Sequence, residues 1–101
     1  MAKKLYSVPE VSEMFGKSKS WFSWADRNNK FVYENGDPIE PTSQNKSGGM
    51  RKYDLDTVQE IALSLYRGRT INEEGLRKVI AKVILERKKD KRERHDENGR
   101  L

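Results

Sequence analysis

The chain has 101 residues, no cysteine and one histidine, and its 21 basic residues exceed its 16 acidic ones to give a net charge of +5. This length allows one compact domain, and the lack of cysteine excludes a disulfide framework, an iron–sulfur cluster and a cysteine-ligated zinc site. No apolar run is long enough to span a membrane, and the basic N-terminus is not followed by the apolar stretch of a secretion signal. We therefore expect a cytoplasmic protein, and the positive charge favours an anionic partner, with nucleic acid as the first candidate.

Capping signals predict two short helices close together near the N-terminus. Ser7 and Glu10 form a capping-box pattern at the start of the first helix. Gly16 fits the position where a left-handed residue ends a helix, and Ser18 can cap a second helix that runs to about Asn28. A gap of two or three residues between two helices is typical of a helix-turn-helix.

The next segment, residues 31–53, predicts a β-hairpin. The β-prone residues 31–33 are the candidate for its outgoing strand, and residues 50–53 are the candidate for its returning strand. Turn-forming residues occupy positions 35–38. The polar and glycine-rich residues 42–49 show no periodicity, so we expect them to form a long, mobile tip.

Two further helices are predicted in the second half of the chain. Asp54 can cap a third helix that ends at Gly68. Thr70 and Glu73 then repeat the capping-box spacing before a fourth helix. The apolar pattern of that helix stops after Leu85.

The order helix, tight turn, helix, hairpin, helix is that of a winged helix-turn-helix. Residues 86–97 contain only charged residues and one histidine, so they can extend the last helix through ion pairs but have nothing to bury. We therefore expect a mainly α fold with a small β-hairpin wing (α+β). The predicted division is a winged helix-turn-helix domain at residues 1–86, followed at residues 87–101 by a charged helical extension that frays into a disordered tail.

Two motifs resemble those of MerR-like DNA-binding domains. Residues 5–16 read LYSVPEVSEMFG and resemble the opening of that family, in which a short strand, a first helix and a glycine turn lead into a recognition helix. Residues 51–61 read RKYDLDTVQEI and are similar to the Arg-x-Tyr, Asp, Ile pattern that closes the wing of the family. Residues 68–79 are similar to the second helix-turn-helix-like pair, so the resemblance covers about residues 5–85.

The small MerR-like proteins without a sensor domain include phage excisionases (recombination directionality factors, Xis), and this chain looks most like those of mycobacteriophages. The resemblance implies an architectural factor that binds repeated double-stranded DNA sites at an attachment region, bends the DNA and directs an integrase towards excision. It implies phage integrase as a partner, head-to-tail self-association on DNA and a place at the nucleoid of a bacterial host cell. A full MerR regulator would continue its apolar pattern beyond Leu85 into a dimerisation helix, which favours the architectural factor. The alternative is a small MerR-like transcriptional regulator without an effector domain.

The second helix departs from the MerR-like pattern at several positions. Ser23 and Ala25 stand where that family commonly has an arginine and an aromatic residue that contact phosphates. Trp21 stands where a small hydroxyl residue is usual. The DNA contacts of this chain must therefore be argued from helix geometry.

Helix geometry predicts which residues contact DNA. Phe22 and Ala25 point towards the first helix, so the opposite side of the second helix is free to enter the major groove. The candidate DNA-binding residues on this side are Lys19, Ser20, Ser23 and Arg27, with Trp24 flanking them. Ser18 is a further candidate, because the free backbone N–H groups at the helix start suit a phosphate. The wing contributes the candidate residues Lys46, Arg51 and Lys52, which would reach the flanking backbone or minor groove.

The two tryptophans leave a different kind of function open. Trp21 and Trp24 are three positions apart, and aromatic residues at that spacing belong either to the core or to a surface. If they form an apolar patch, the chain could instead be an adaptor that binds protein and not DNA. No nucleophile–base pair stands out, so we expect no enzymatic activity, no metal, no cofactor and no small-molecule effector.

Overall fold

The structure, a computed structural model, describes residues 4–44 and 51–99. The elements in chain order are β1 (Tyr6–Ser7), α1 (Val8–Met14), α2 (Lys19–Arg27), β2 (Ser43–Gln44), β3 (Arg51–Tyr53), α3 (Leu55–Arg67) and α4 (Glu73–Gly99). The part of the chain that is described is thus mainly helical with a small antiparallel sheet, which confirms the predicted α+β class. None of its helices is long and apolar enough to cross a membrane.

The predicted caps of α1 and α2 are confirmed. Ser7 and Glu10 form a complete capping box, in which the backbone N–H of Ser7 donates to the Glu10 carboxylate over 2.9 Å. Gly16 has a φ of +68°, the left-handed conformation that glycine adopts without steric cost. Ser18 then caps α2, because its hydroxyl oxygen accepts a hydrogen bond from the backbone N–H of Trp21 over 3.1 Å. These local signals place the two helices against each other across a short turn.

The sheet has the order β1-β3-β2, and both pairs of strands are antiparallel. Tyr6 of β1 lies opposite Tyr53 of β3, and Ser43 of β2 lies opposite Lys52. The returning strand of the hairpin is therefore where the sequence predicts it. The outgoing strand is not, because β2 lies within the segment that was expected to form the tip.

Residues 31–39 instead close a small loop of their own. The Phe31 ring is buried, and its centroid lies 5.0 Å from that of Phe22. The backbone N–H of Ile39 donates to the carbonyl of Phe31, and Val32 forms only an isolated bridge with Pro38. The β-prone character of residues 31–33 thus reflects burial of an aromatic ring in the core. It does not reflect pairing with β3, so the predicted strand at this position is wrong.

One continuous apolar core joins the helices to the sheet. Tyr53 is almost fully buried, and its ring meets Phe22 of α2 edge-to-face with centroids 5.7 Å apart. Aromatic pairs in this arrangement gain about 0.5–1.5 kcal/mol beyond the apolar area that they bury. The core residues are Tyr6, Val11, Met14, Phe22, Ala25, Phe31, Ile39, Tyr53, Val58, Ile61, Ala62, Leu65, Val79 and Val83.

The ends of α3 agree with the sequence, but the start of α4 does not. Asp54 caps α3 by accepting from the N–H of Thr57 over 2.8 Å, and Gly68 is its C-cap. The predicted capping box at Thr70 is wrong. The side chain of Asn72 accepts from the N–H of Gly75 over 2.8 Å, so Asn72 is the residue that caps α4. A capping oxygen must reach the free N–H groups of the first turn, and α4 begins two residues too late for Thr70 to do so.

The last helix continues to Gly99 and packs mainly on α3. Its residues Val79 and Val83 are buried in the core, and its exposed Arg87 guanidinium donates to the Asp56 carboxylate over 2.7 Å and to the side-chain oxygen of Gln59 over 3.2 Å. The division into a domain and a charged extension stays a prediction.

Candidate nucleic-acid interface

The second helix has one buried side and one side open to solvent. Phe22 and Ala25 are fully buried, and they set the direction in which α2 faces the core. With about 100° per residue, Ser20 and Arg27 project close together on the opposite side. The opposite side is exposed, as the sequence predicted.

A shallow open groove runs along this exposed side. It is lined by Lys19, Ser20, Ser23 and Arg27, four of the six residues that the sequence singled out on this helix. Neither Lys19 nor Arg27 forms an ion pair with another residue in the described part of the chain. Two free cations and two hydroxyl groups can donate to guanine O6 and N7 or to phosphate oxygens. We call this set of four residues the α2 face.

The start of α2 adds a fifth position to this surface. Ser18 is exposed, and its hydroxyl group is committed to capping the helix. The remaining free N–H groups of the first turn lie beside it and are typical partners for a phosphate.

The tryptophans lie along one edge of the α2 face. The Trp24 side chain is 42% exposed and therefore lies outside the core. Trp21 is partly buried and packs against Phe15, with ring centroids 6.3 Å apart. The ammonium of Lys17 lies 5.5 Å from the Trp21 ring centroid, and that of Lys30 lies 5.9 Å from the Trp24 ring centroid. Each tryptophan thus carries one lysine in cation–π contact.

The hairpin meets the other edge of the α2 face. The Arg51 guanidinium on β3 forms an ion pair with the Asp26 carboxylate on α2, and their side chains are 27% and 29% exposed. Asp26 and Trp24 are two positions apart, which puts them about 160° apart around the helix. The hairpin and the tryptophans therefore flank the α2 face on opposite sides.

Lys52 does not lie beside Arg51, because neighbouring residues of a strand point to opposite faces of a sheet. It lies instead near the N-terminus of α1. There the pKa of the Glu10 carboxyl is lowered by the hydrogen bond from the backbone N–H of Ser7, and the positive charges of Lys4 and Lys52 act in the same direction. Arg51 and Lys52, which were both assigned to the wing, thus lie on different surfaces. Lys46 lies outside the described residues.

Sequence reasoning did not identify Asp26, Lys17 or Lys30. Lys17 could have been found, since it stands four positions before Trp21. Lys30 follows the end of α2, where Asn29 adopts a left-handed φ of +56° and redirects the chain. The pairing of Asp26 with Arg51 joins residues far apart in the sequence, and no local pattern marks it.

Comparison with curated proteins and with solved structures finds no match. One family does match, and it is described as a domain of unknown function, DUF7229. The match runs over residues 1–86, which include every element from β1 to α3 and the first half of α4. This chain is therefore a member of the DUF7229 family.

Proposed function

We propose that this protein binds double-stranded DNA sequence-specifically through α2, as a winged helix-turn-helix whose wing is the β2–β3 hairpin. In this proposal α1, the turn at Gly16 and α2 form the helix-turn-helix, and α2 enters the major groove. An α-helix with its side chains is about 10–12 Å wide, and the major groove is about 12 Å wide. The exposed side of α2 would then face the base edges.

The observation that carries the proposal is the α2 face. Its members, Lys19, Ser20, Ser23 and Arg27, line one open groove, and both cations are free of carboxylate partners in the described part of the chain. Free cations on a helix that is anchored on its other side by buried residues can exchange water for phosphate or base-edge oxygens without breaking an ion pair.

The position of the hairpin also supports the winged interpretation. Tyr53 of β3 packs on Phe22 of α2, and Arg51 of β3 pairs with Asp26 of α2, so β3 lies beside the helix that would enter the groove. A hairpin at this position can contact the sugar–phosphate backbone next to the major groove, which fixes register and orientation.

Within this class we propose an architectural factor of the phage excisionase type. The support is the resemblance of residues 5–85 to MerR-like excisionases. On this proposal the protein binds repeated sites at an attachment region, bends the DNA and directs integrase-mediated recombination towards excision. Its partners are then double-stranded DNA, a phage integrase and further copies of itself arranged head-to-tail on the DNA.

Footprinting on the DNA that adjoins the gene tests the proposal, since it reports affinity, site identity and repeat spacing together. We expect protected sites in a repeated array and binding that weakens steeply with salt. Gel shifts with circularly permuted fragments then measure bending. Duplex binding that is absent or insensitive to salt would reject the DNA-binding function, and binding without a bend would reject the architectural role.

The alternative, a small MerR-like transcriptional regulator, uses the same interface. The two are separated by two assays on the footprinted DNA. An excisionase changes the direction of recombination when integrase is present, whereas a regulator changes transcription from a promoter without integrase.

A further inference from the structure

We propose that Lys17 and Lys30, supported by Trp21 and Trp24, form a second phosphate-contacting edge of the interface, on the side of α2 opposite to the hairpin. This inference rests on the proposed DNA-binding function and adds two residues to it. The ligand is the sugar–phosphate backbone of one DNA strand. We call the four residues the tryptophan–lysine edge.

The tryptophan–lysine edge and the hairpin lie on opposite sides of the α2 face. Trp21 and Trp24 are about 60° apart around α2, and both lie about 140–160° from Asp26, where β3 is attached. The α2 face occupies the arc between Asp26 and Trp24. A helix that presents this arc to the bases of a major groove has a phosphate backbone on each side. The hairpin is next to one backbone, and the tryptophan–lysine edge is next to the other.

The two edges of the α2 face differ in charge. Lys17 and Lys30 make cation–π contacts but no ion pair within the described residues. The acidic residue of α2, Asp26, is paired with Arg51 and lies on the far side of the helix. The tryptophan–lysine edge is therefore positive, whereas the edge beside the hairpin is partly neutralised.

Trp24 contributes an exposed indole to this edge. Its side chain is 42% exposed, and the ammonium of Lys30 lies 5.9 Å from its ring centroid. An indole has one N–H donor and an aromatic face that holds an ammonium group near it. An exposed tryptophan with a lysine above its ring can give a phosphate both a cation and a neutral donor.

Removing a lysine that contacts phosphate lowers the affinity for all duplexes alike. It also makes the affinity less dependent on salt concentration. The test compares the full-length wild type with the double variant Lys17→Gln and Lys30→Gln, on a duplex with the footprinted site and on a mixed-sequence duplex of equal length. Each lost phosphate contact removes about 0.9 from the slope of log K against log salt concentration. We expect the slope to become shallower by about 1.8, with affinity for both duplexes lowered by a similar factor.

Two control variants make the result specific. Lys78→Gln with Lys88→Gln removes the same charge from exposed positions on α4, and we expect it to leave the slope almost unchanged. Lys17→Arg with Lys30→Arg keeps both charges and should retain the wild-type slope. Circular dichroism of each variant checks that the fold is kept.

The outcomes separate the two proposals. If the wild type binds duplex and the Lys17→Gln, Lys30→Gln variant shows the same slope as the α4 control, the tryptophan–lysine edge does not contact DNA and the DNA-binding function stands. If the wild type does not bind duplex at all, both proposals are wrong.

Discussion

The Asp26 carboxylate on α2 is paired with the Arg51 guanidinium on β3. This ion pair joins the helix that carries the α2 face to the strand that returns from the hairpin. It also commits Arg51, which the sequence singled out as a DNA contact, to a protein partner. Arg51 is therefore placed to hold the hairpin against α2, and its own contact with phosphate would have to compete with Asp26.

Replacing Asp26 with Asn removes a negative charge from the interface and frees Arg51. We expect duplex affinity to rise and the salt slope to steepen by about 0.9, the value for one added phosphate contact. A partly exposed pair contributes only about 0.2–1 kcal/mol to folding, so the variant remains folded, and the buried contact of Tyr53 with Phe22 still keeps β3 against α2. Titrations at several salt concentrations measure both quantities.

The control for this variant is Glu74→Gln, which removes one negative charge from an exposed position in the first turn of α4. If Asp26→Asn binds no more tightly than Glu74→Gln, Arg51 does not reach DNA when it is released.

Ser64 is predicted to be important for stability. It is buried on α3, its hydroxyl donates to the carbonyl of Lys30, and it accepts from the N–H of Val32 over 2.9 Å. Ser64→Ala leaves both backbone groups without this partner, which costs about 1–3 kcal/mol. Urea denaturation measures the loss. Ser43→Ala, at an exposed position on β2, should change the free energy of unfolding by less than about 0.5 kcal/mol, and equal effects of the two changes would contradict the role of Ser64.

Replacing Arg69 with glycine is expected to stabilise the protein. The φ of Arg69 is +61°, a left-handed conformation at the end of α3 that glycine adopts at no steric cost. We expect Arg69→Gly to stabilise the protein by about 0.5–1 kcal/mol, whereas Arg69→Ala keeps the strain and gives no gain. Thermal unfolding distinguishes them. If Arg69→Ala stabilised the protein as much as Arg69→Gly, loss of the arginine side chain, and not relief of the backbone strain, would explain the gain in stability.

The capping box at α1 predicts a pH dependence. The pKa of Glu10 is lowered in the folded protein, chiefly by the hydrogen bond from the N–H of Ser7. A carboxyl with a lowered folded pKa stabilises the protein above its unfolded value near 4.5, and this contribution is lost as the pH falls through the folded pKa. Glu10→Gln should therefore be less stable than wild type at neutral pH, with the difference shrinking in acid. Urea denaturation at several pH values measures it, and a constant difference would contradict the assignment.

The helices and most of their caps could be predicted because their signals are local. Ser7, Gly16 and Ser18 act on backbone groups within a few residues of themselves, so one sequence is enough to place them. The α2 face was predictable for a similar reason, since helical spacing alone puts Lys19 and Arg27 on the side opposite to the buried residues.

The hairpin and the edges of the interface could not be predicted in the same way. Ser43 and Gln44 form a short, polar strand with no apolar alternation, so nothing in the sequence marks β2. Phe31 has high β propensity, but its ring is needed in the core beside Phe22. The attachment of Arg51 to Asp26 depends on how the sheet packs on α2, which only the folded structure shows.

The most direct test of the central claim is duplex binding by the double variant Lys19→Gln and Arg27→Gln. If the α2 face reads base edges, affinity for the footprinted site falls by about 1–3 kcal/mol for each lost base contact, and the preference for that site over a mixed-sequence duplex is reduced. The Lys78→Gln, Lys88→Gln control should keep this preference. A double variant that retains both the wild-type affinity and the wild-type preference would show that α2 is not the recognition helix.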